Sequence, residues 1–219
     1  MINAVLWDMD GVIVDSNPHH ARAWIKTLAN HGVELTPEQY AEFAGRRDSD
    51  TIRYYMGIKV TDKMIADISR EKQATYRQIA QAEGIKALPG VIELIKRIDS
   101  SNTPQALVTS SPWKNVDLVL SALGIDDCFD VIVGPETTLH GKPHPEGYLL
   151  AAKVADVDPW NCVIIEDSIA GVQAGKRIGA FVIAVTNTTT KKELAKANAD
   201  LIVESLTDSR IPYIVLPPC

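Results

Sequence analysis

Cysteine is scarce in this chain: Cys128, Cys162 and Cys219 are its 3 cysteines in 219 residues. So odd and widely spaced a set excludes a disulfide framework and shows no zinc-type spacing. Cys162 lies in an apolar run and is expected to be inert core. Positive charge is in deficit, with 22 Lys and Arg against 28 Asp and Glu. A surface that binds many phosphates needs a basic field, so nucleic acid is excluded as the main partner. An anionic small molecule is still compatible, because a metal and a few cations reverse the potential locally. Long hydrophobic runs are absent too. No stretch reaches membrane-spanning length, and Met1-Ile2-Asn3 leads into the first apolar segment without a signal-peptide pattern. The expectation is therefore no membrane partner and a cytoplasmic location, with a monomer as the default. Internal repeats and low-complexity linkers are also missing, the Thr188-Thr189-Thr190 run being too short to matter. The length is enough to bury a full core, either as one domain or as a core with an insertion.

What is present begins with Asp8-Met9-Asp10-Gly11, directly after the apolar run Ala4-Val5-Leu6-Trp7. That run reads as a buried strand, so both carboxylates leave a sheet at its carboxyl end. Alternate side chains of a strand share a face, and Asp8 and Asp10 would crowd each other's charge unless a cation sat between them. A hard metal such as Mg²⁺ fits, with one carboxylate left for nucleophilic or acid/base work.

From Pro18 to about Gln81 the chain reads as helices, near 18–30, 37–43, 49–56 and 61–82. After Leu88-Pro89-Gly90 it alternates: helix 91–99, strand 105–109, helix 113–123, strand 130–133, helix 145–155, strand 162–166, helix 169–178, strand 181–185, and a last strand near 201–203. Such alternation predicts an α/β fold with a doubly wound parallel sheet. The helical block, residues 15–87, is read as a small cap inserted into a core made of 1–14 and 88–219. It would hang as a lid over the carboxyl edge of the sheet, where open α/β folds bind ligands. Residues 211–219 receive no role and either pack along the sheet edge or fray.

Three more predicted strand or loop ends carry polar groups. Thr109-Ser110-Ser111 ends a strand ahead of a helix, which is either an anion site or a plain N-cap. Lys142 lies in the proline-stiffened loop His140-Gly141-Lys142-Pro143-His144-Pro145; a solvated surface charge is the ordinary reading of such a lysine. Val163-Ile164-Ile165 runs into Glu166-Asp167-Ser168, repeating the situation at Asp8, with helix capping as the alternative. All of these fall at one edge of one sheet, and together they supply carboxylates for a metal, a hydroxyl and a lysine for an anion, and a spare carboxylate.

Taken in order, these segments resemble the haloacid dehalogenase superfamily. Asp8-Met9-Asp10-Gly11-Val12-Ile13-Val14-Asp15-Ser16 is similar to its first motif, Thr109 to the second, Lys142 within Gly141-Lys142-Pro143 to the third, and Glu166-Asp167-Ser168 to the fourth. The helical insertion resembles the cap of the subgroup that contains β-phosphoglucomutase and many sugar phosphatases. Two aspartates in the first motif favour phosphoryl transfer over dehalogenation. The resemblance implies that Asp8 attacks phosphorus to form an aspartyl phosphate, and that Asp10 protonates the leaving oxygen and then deprotonates water. It implies Mg²⁺ held by the Asp8 side chain, the Asp10 backbone carbonyl and Asp167, with Glu166 direct or through water. Thr109, the Ser110 backbone and Lys142 would hold phosphoryl oxygens. Gly11 and Ser111 are placed with the substrate-binding residues.

In the cap, His20 followed by Ala21-Arg22-Ala23-Trp24 resembles a stretch of β-phosphoglucomutase in which a histidine couples cap closure to the acid/base aspartate. The alternative is a partly exposed helix residue beside His19. Lys72, within Lys72-Gln73-Ala74-Thr75-Tyr76, resembles a cap lysine of the mutase, or is a surface lysine. Aligned from Gly45, the mutase's substrate-phosphate arginine falls on Asp48, after Arg46 and Arg47. Arg46 or Arg47 then replaces it through a loop shift, binds one anionic substrate, or is merely solvated. The expectation is a Mg²⁺-dependent phosphatase of a small phosphorylated metabolite, foremost a sugar phosphate. The alternatives are a sugar phosphomutase and a non-catalytic protein that binds a phosphorylated ligand.

Overall fold

The strands form because their apolar residues are buried on both faces, as a covered parallel sheet demands. They are β1 (Ala4–Trp7), β2 (Gln105–Val108), β3 (Val131–Val133), β4 (Cys162–Glu166), β5 (Phe181–Val185) and β6 (Leu201–Val203). All pairings are parallel, in the order β3-β2-β1-β4-β5-β6. This computed structural model describes residues 2–41, 46–57 and 59–216. The doubly wound order puts β1 in the centre, with β2 and β4 on its flanks, so the carboxyl ends of these three strands meet at the topological switch point.

Helices follow the strands: α1 (Asn17–Asn30), α2 (Pro37–Ala41), α3 (Asp48–Met56), α4 (Asp62–Glu83), α5 (Val91–Ser100), α6 (Trp113–Leu123), α7 (Glu146–Val154), α8 (Ile169–Arg177), α9 (Lys191–Lys196) and α10 (Ile211–Val215). Val5, Trp7, Leu107, Val163 and Ile165 face one layer, formed by α5, α6 and α10. Ala4, Leu6, Ala106, Cys162 and Ile164 face the other, formed by α7, α8 and α9. The two-residue period of the pleat thus divides the core into two halves. Trp7 Nε1 donates to Gln105 Oε1 at 3.0 Å, and Gln105 Nε2 donates to the Ile95 and Cys128 carbonyls, each at 3.1 Å. The buried amide is therefore satisfied, as interior polar groups must be. Cys162 is fully buried, and burial pushes its thiol up to about 11, so it is inert.

Helices α1 to α4 pack around Trp24, Leu28, Tyr40, Ile52, Ile65 and Ile68, a cluster separate from the two beside the sheet. They lie between β1 and β2 in the chain, and Val14 bridges Ala87 where the chain leaves and re-enters the core. The helix expected at 37–43 is seen as Pro37–Ala41, and residues 42 and 43 lie outside the described residues.

Two helices stand where none is predicted. α9 has six residues, too few for a 3.6-residue period to show, and is set by a capping box between Thr190 and Glu193. α10 buries Ile211 and Val215 against the sheet layer, so the chain end packs as far as residue 216. Pro217, Pro218 and Cys219 lie outside the described residues. Among the described residues no helix is long and apolar enough to cross a membrane.

Candidate active site

Asp8 continues β1 by one residue, its N–H donating to the Ile165 carbonyl at 3.0 Å, and so its side chain is set by the sheet itself. Its Oδ1 accepts from Lys142 Nζ at 2.5 Å. The same ammonium donates to Glu166 Oε1 at 2.5 Å and to the Val108 carbonyl at 3.0 Å. All three of its protons therefore have acceptors at the ends of β1, β2 and β4. Lys142 is buried, so the surface-charge alternative does not apply. Burial works against its charge, but Asp8 and Glu166 outweigh that and hold it protonated above the ordinary lysine range.

Glu166 is completely buried. Its Oε1 also accepts from the Tyr148 hydroxyl at 2.7 Å, and its Oε2 from the Asp167 and Ser168 N–H groups at 3.1 and 3.2 Å and from Ser168 Oγ at 3.0 Å. Burial raises its pKa, and Lys142 with these donors lowers it further than that. Gly171 makes room for it: a Cβ there would come within 1.7 Å of Glu166 Oε1. Ser168 also caps α8, accepting from the Gly171 N–H at 3.0 Å, so the capping alternative is correct for Ser168 alongside whatever the carboxylates do.

Asp167 accepts a short hydrogen bond from Thr188 Oγ1, which in turn accepts from Asn17 Nδ2 at 2.6 Å. The threonine run set aside in the sequence therefore supplies the residue that aims Asp167. Gly11 has φ +87°, and a Cβ there would lie 1.8 Å from Asp167 Oδ2. Its place beside Asp167 explains the glycine by space and backbone alone.

Carboxylate oxygens of Asp8, Glu166 and Asp167 lie within 4.8 Å of one another. Three buried carboxylates share one lysine, and the excess negative charge is visible in their protonation. Burial raises the Asp8 carboxyl to about 8, against the pull of Lys142. Burial, with the charges of Asp8 and Glu166, pushes Asp167 well above the carboxylate range. The ligand atoms that these three residues offer are carboxylate oxygens, a set that suits a hard divalent cation such as Mg²⁺.

Asp10 belongs to a second network. Oδ1 accepts from Ser16 Oγ in a short bond and from His20 Nε2 at 3.2 Å, while Oδ2 accepts from Ser111 Oγ at 2.7 Å. Burial raises its pKa, but His20 and the bonds from His20, Ser16 and Ser111 outweigh that and hold Asp10 well below the usual range. His20 Nδ1 is 3.1 Å from Lys72 Nζ, and Lys72 donates to Asp48 Oδ1 at 3.2 Å. Asp48 Oδ2 also accepts from Ser69 Oγ at 2.6 Å and Gln73 Nε2 at 2.7 Å.

An ammonium only donates, so Nδ1 of His20 carries the lone pair and Nε2 carries the proton given to Asp10. Burial and Lys72 lower the His20 pKa, in keeping with a neutral ring. The ring stacks on Tyr76 at 3.9 Å with a 5° interplanar angle. His20 and Lys72 are 6% and 3% exposed, which removes the surface alternatives for both.

Thr109 is buried at the end of β2, its hydroxyl accepting from the Ser111 N–H at 3.0 Å. Ser110 lines a cleft of about 770 Å³ that α3, α4 and the start of α6 border, with Asp48, Ser49, Gln73 and Arg77 also lining it. Arg47 borders the same cleft but is engaged with the core: its guanidinium donates to the carbonyls of Thr138 and Leu139 at 3.1 and 2.9 Å. Arg46 is exposed and is not among the residues lining this cleft.

A second cluster, His140, His144 and Glu146, is a staple on the Lys142 loop: Glu146 accepts from the Leu139 and His140 N–H groups at 2.7 and 2.9 Å and pairs with His140 Nδ1 at 2.8 Å. Sequence reasoning missed Ser16, Tyr148 and Thr188. Ser16 and Tyr148 carried a signal, one beside the first motif and the other on the helix after the Lys142 loop.

Comparison with known proteins agrees with this geometry. Residues 5–185 match the family described as haloacid dehalogenase-like hydrolase. The chain is 34% identical over 202 residues to hexitol phosphatase A of Escherichia coli, covering 92% of this chain and 90% of that protein. It is 30% identical over 218 residues to validoxylamine A 7′-phosphate phosphatase of Streptomyces hygroscopicus, covering 98% and 99% of the two. The crystal structure of β-phosphoglucomutase from Clostridium difficile superposes with a TM-score of 0.87 at 29% identity, over 98% of this chain and 96% of that one. With the matched segment running from β1 to β5 and containing Asp8, Asp10, Thr109, Lys142, Glu166 and Asp167, the chain belongs to the haloacid dehalogenase-like hydrolases.

Proposed function

We propose that this protein is a Mg²⁺-dependent phosphomonoesterase of small phosphorylated carbohydrates, working through an aspartyl phosphate on Asp8. One observation carries the reading. The two aspartates, two residues apart, belong to separate networks: Asp8 to the Lys142 and carboxylate cluster, Asp10 to hydroxyls and a neutral histidine. A nucleophile needs the first environment and a proton carrier the second.

In this reading an Asp8 oxygen attacks phosphorus in line, the ester P–O bond breaks, and the departing oxygen takes its proton from Asp10. Water then attacks the aspartyl phosphate, giving its proton back to Asp10 and releasing phosphate and free Asp8. The ionised Asp10 of this structure is the base form suited to the second half. Its acid form requires weakening of the bonds from His20, Ser16 or Ser111, and the first two of these come from the segment we read as the cap, 15–87. Lys142 and the Thr109 hydroxyl neutralise and orient the phosphoryl oxygens. Asp8 and Asp167, with the Asp10 backbone carbonyl, would hold Mg²⁺, which when bound supplies charge stabilisation to the transferring group. Glu166 acts through Lys142, since its oxygens already accept from protein donors.

Hydrolysis is favoured over mutase chemistry by Asp48. It stands where the mutase resemblance calls for a phosphate-binding arginine, and it is committed to Lys72, Ser69 and Gln73. The mutase reading keeps one supporting observation, the Lys72–His20–Asp10 chain. The relatives named hexitol phosphatase A and validoxylamine A 7′-phosphate phosphatase support the carbohydrate class. The test is phosphate release from a panel of phosphorylated sugars and polyols with and without Mg²⁺. Release that needs Mg²⁺ and vanishes in Asp8→Asn supports the proposal. Conversion between isomers at constant ester phosphate, dependent on a sugar bisphosphate, would replace it with the mutase. Binding without turnover would replace it with a ligand-binding protein.

A further inference from the structure

Arg47 stands one residue before α3, yet its side chain lies on the core. The guanidinium forks across the carbonyls of Leu139, at 2.9 Å, and Thr138, at 3.1 Å, and also donates to the Thr138 hydroxyl. Its stem crosses Gly141, where a Cβ would meet Arg47 Cγ, Nε and Cδ at 2.7–2.8 Å. The next residue is Lys142. The other side of this loop is tied to the core, for Glu146 takes the Leu139 N–H at 2.7 Å and Arg177 donates to the Pro143 carbonyl. The Leu139 residue is thus held at its N–H by the core and at its C=O by the helical insertion.

We propose that Arg47 is a positioning residue that latches the helical cap onto the loop carrying Lys142, with Gly141 as the flat seat for its stem. Seating of the cap and placement of the Lys142 ammonium against Asp8 then occur together. The inference rests on the phosphomonoesterase reading for its kinetic consequence, and it replaces the expectation that Arg47 holds a substrate anion.

The physical argument is one of geometry and connectivity. Lys142 has acceptors at the ends of three strands, so a shift of its backbone strains three hydrogen bonds of 2.5–3.0 Å at once. With Arg47 withdrawn, the Thr138 and Leu139 carbonyls return to water, and the loop loses these bonds to the residue ahead of α3. A lysine at 47 would reach one carbonyl but would not fork across two, because the planar guanidinium supplies that pairing. Any side chain at 141 would lift the arginine stem from its seat. A different crossing joins Gln73 and Arg77 of α4 to Asn115 of α6, with bonds of 2.6 and 3.0 Å, and holds the insertion to the core away from Lys142.

The test compares Arg47→Ala, Arg47→Lys, Gly141→Ala and the Arg47→Ala/Gly141→Ala pair, using para-nitrophenyl phosphate and a sugar phosphate with saturating Mg²⁺. Expected are a fall in kcat of roughly 10- to 100-fold in Arg47→Ala and in Gly141→Ala with KM little changed, no rescue by lysine, and a pair no slower than its worse member. Amide hydrogen exchange of residues 139–142 should quicken in Arg47→Ala and Arg47→Lys while that of β1 and β4 does not. A raised KM with kcat kept would make Arg47 a substrate ligand and overturn the latch. Additive losses in the pair, restoration by lysine, or unchanged exchange at 139–142 would overturn it as well. If the wild type hydrolyses no phosphate ester, the functional reading fails by itself, and the exchange measurement still decides the latch. It decides it also if Gly141→Ala fails to fold.

Discussion

Asp8 and Asp10 sit two residues apart, but the surroundings that hold them are built differently. Around Asp8 the contacts come from the sheet: Lys142 is tied to the Val108 carbonyl, and Glu166 to two N–H groups just beyond β4. Around Asp10 the acceptors and donors are side chains, with His20 on α1 and, behind it, Lys72 on α4 and Asp48 on α3. A cluster anchored on the sheet leans on the helices at one place, the Lys142 loop that Arg47 reaches. A side-chain chain that crosses between helical insertion and sheet exists only while they are together. The comparison teaches that the nucleophile is positioned chiefly by the sheet, whereas the proton carrier is conditional on the helices.

The sharpest way to test that contrast is to remove each centre. Asp8→Asn is expected to abolish turnover, a loss of about 10⁴-fold or more in kcat, with the fold retained by circular dichroism. His20→Ala and Lys72→Met, acting on Asp10 from the far side, are expected to cost less, roughly 10²-fold, and to shift the pH–rate profile, because they change what holds the Asp10 proton. A His20→Ala enzyme with an unchanged profile would break the proposed division of labour.

Next in size is a pH-dependent effect of Mg²⁺ on stability. Without metal the folded Asp8 pKa is raised from 3.8 to about 8, so its contribution is most favourable below about pH 4 and is lost as pH rises towards 8. Asp167 shifts in the same direction. Asp10 is depressed, so its contribution is present above the unfolded value and is lost only in acid. Mg²⁺ should therefore raise Tm little at pH 5 and by roughly 5–10 °C at pH 8, with the metal about 100-fold above its Kd. Differential scanning calorimetry checks this, and a shift independent of pH would remove the carboxylate cluster as the site. The smallest effect is expected of Thr188→Val, which frees Asp167 from its orienting hydroxyl. Mg²⁺ affinity measured by calorimetry should drop about 3- to 10-fold, on the order of 1 kcal/mol, with Tm in the absence of metal nearly unchanged.

The sheet and the residues at its carboxyl edge were legible because each strand is a short apolar run that ends abruptly in polar residues, as in Ile164-Ile165-Glu166-Asp167. Order along the chain then placed those ends together. Thr188 was not legible, since its partner Asp167 is brought to it by the crossover from β4 to β5, and a hydroxyl in a polar run carries no local mark. α9 is shorter than two turns and shows its capping box but no period. Lys72 did carry a signal that burial makes plain afterwards. Ile65, Ile68, Lys72, Tyr76 and Ala80 recur at helical spacing, so the lysine lies on the buried stripe of α4. What sequence spacing does not show is the partner across the cleft, and this is why Arg47 read as an anion ligand while its guanidinium reaches two carbonyls of the core.

The bridge between Val14 and Ala87 has a consequence for how such a protein diversifies. The chain departs from the sheet and returns to it at adjacent points, about one strand spacing apart. A segment grafted onto two such neighbouring ends closes at an entropic cost that grows only slowly with its length. Exchanging everything between those ends would leave the register of β1 with β2 and β4 untouched. The sheet and the helical insertion can thus change separately, provided that an exchanged segment restores the contacts of Ser16 and His20 to Asp10.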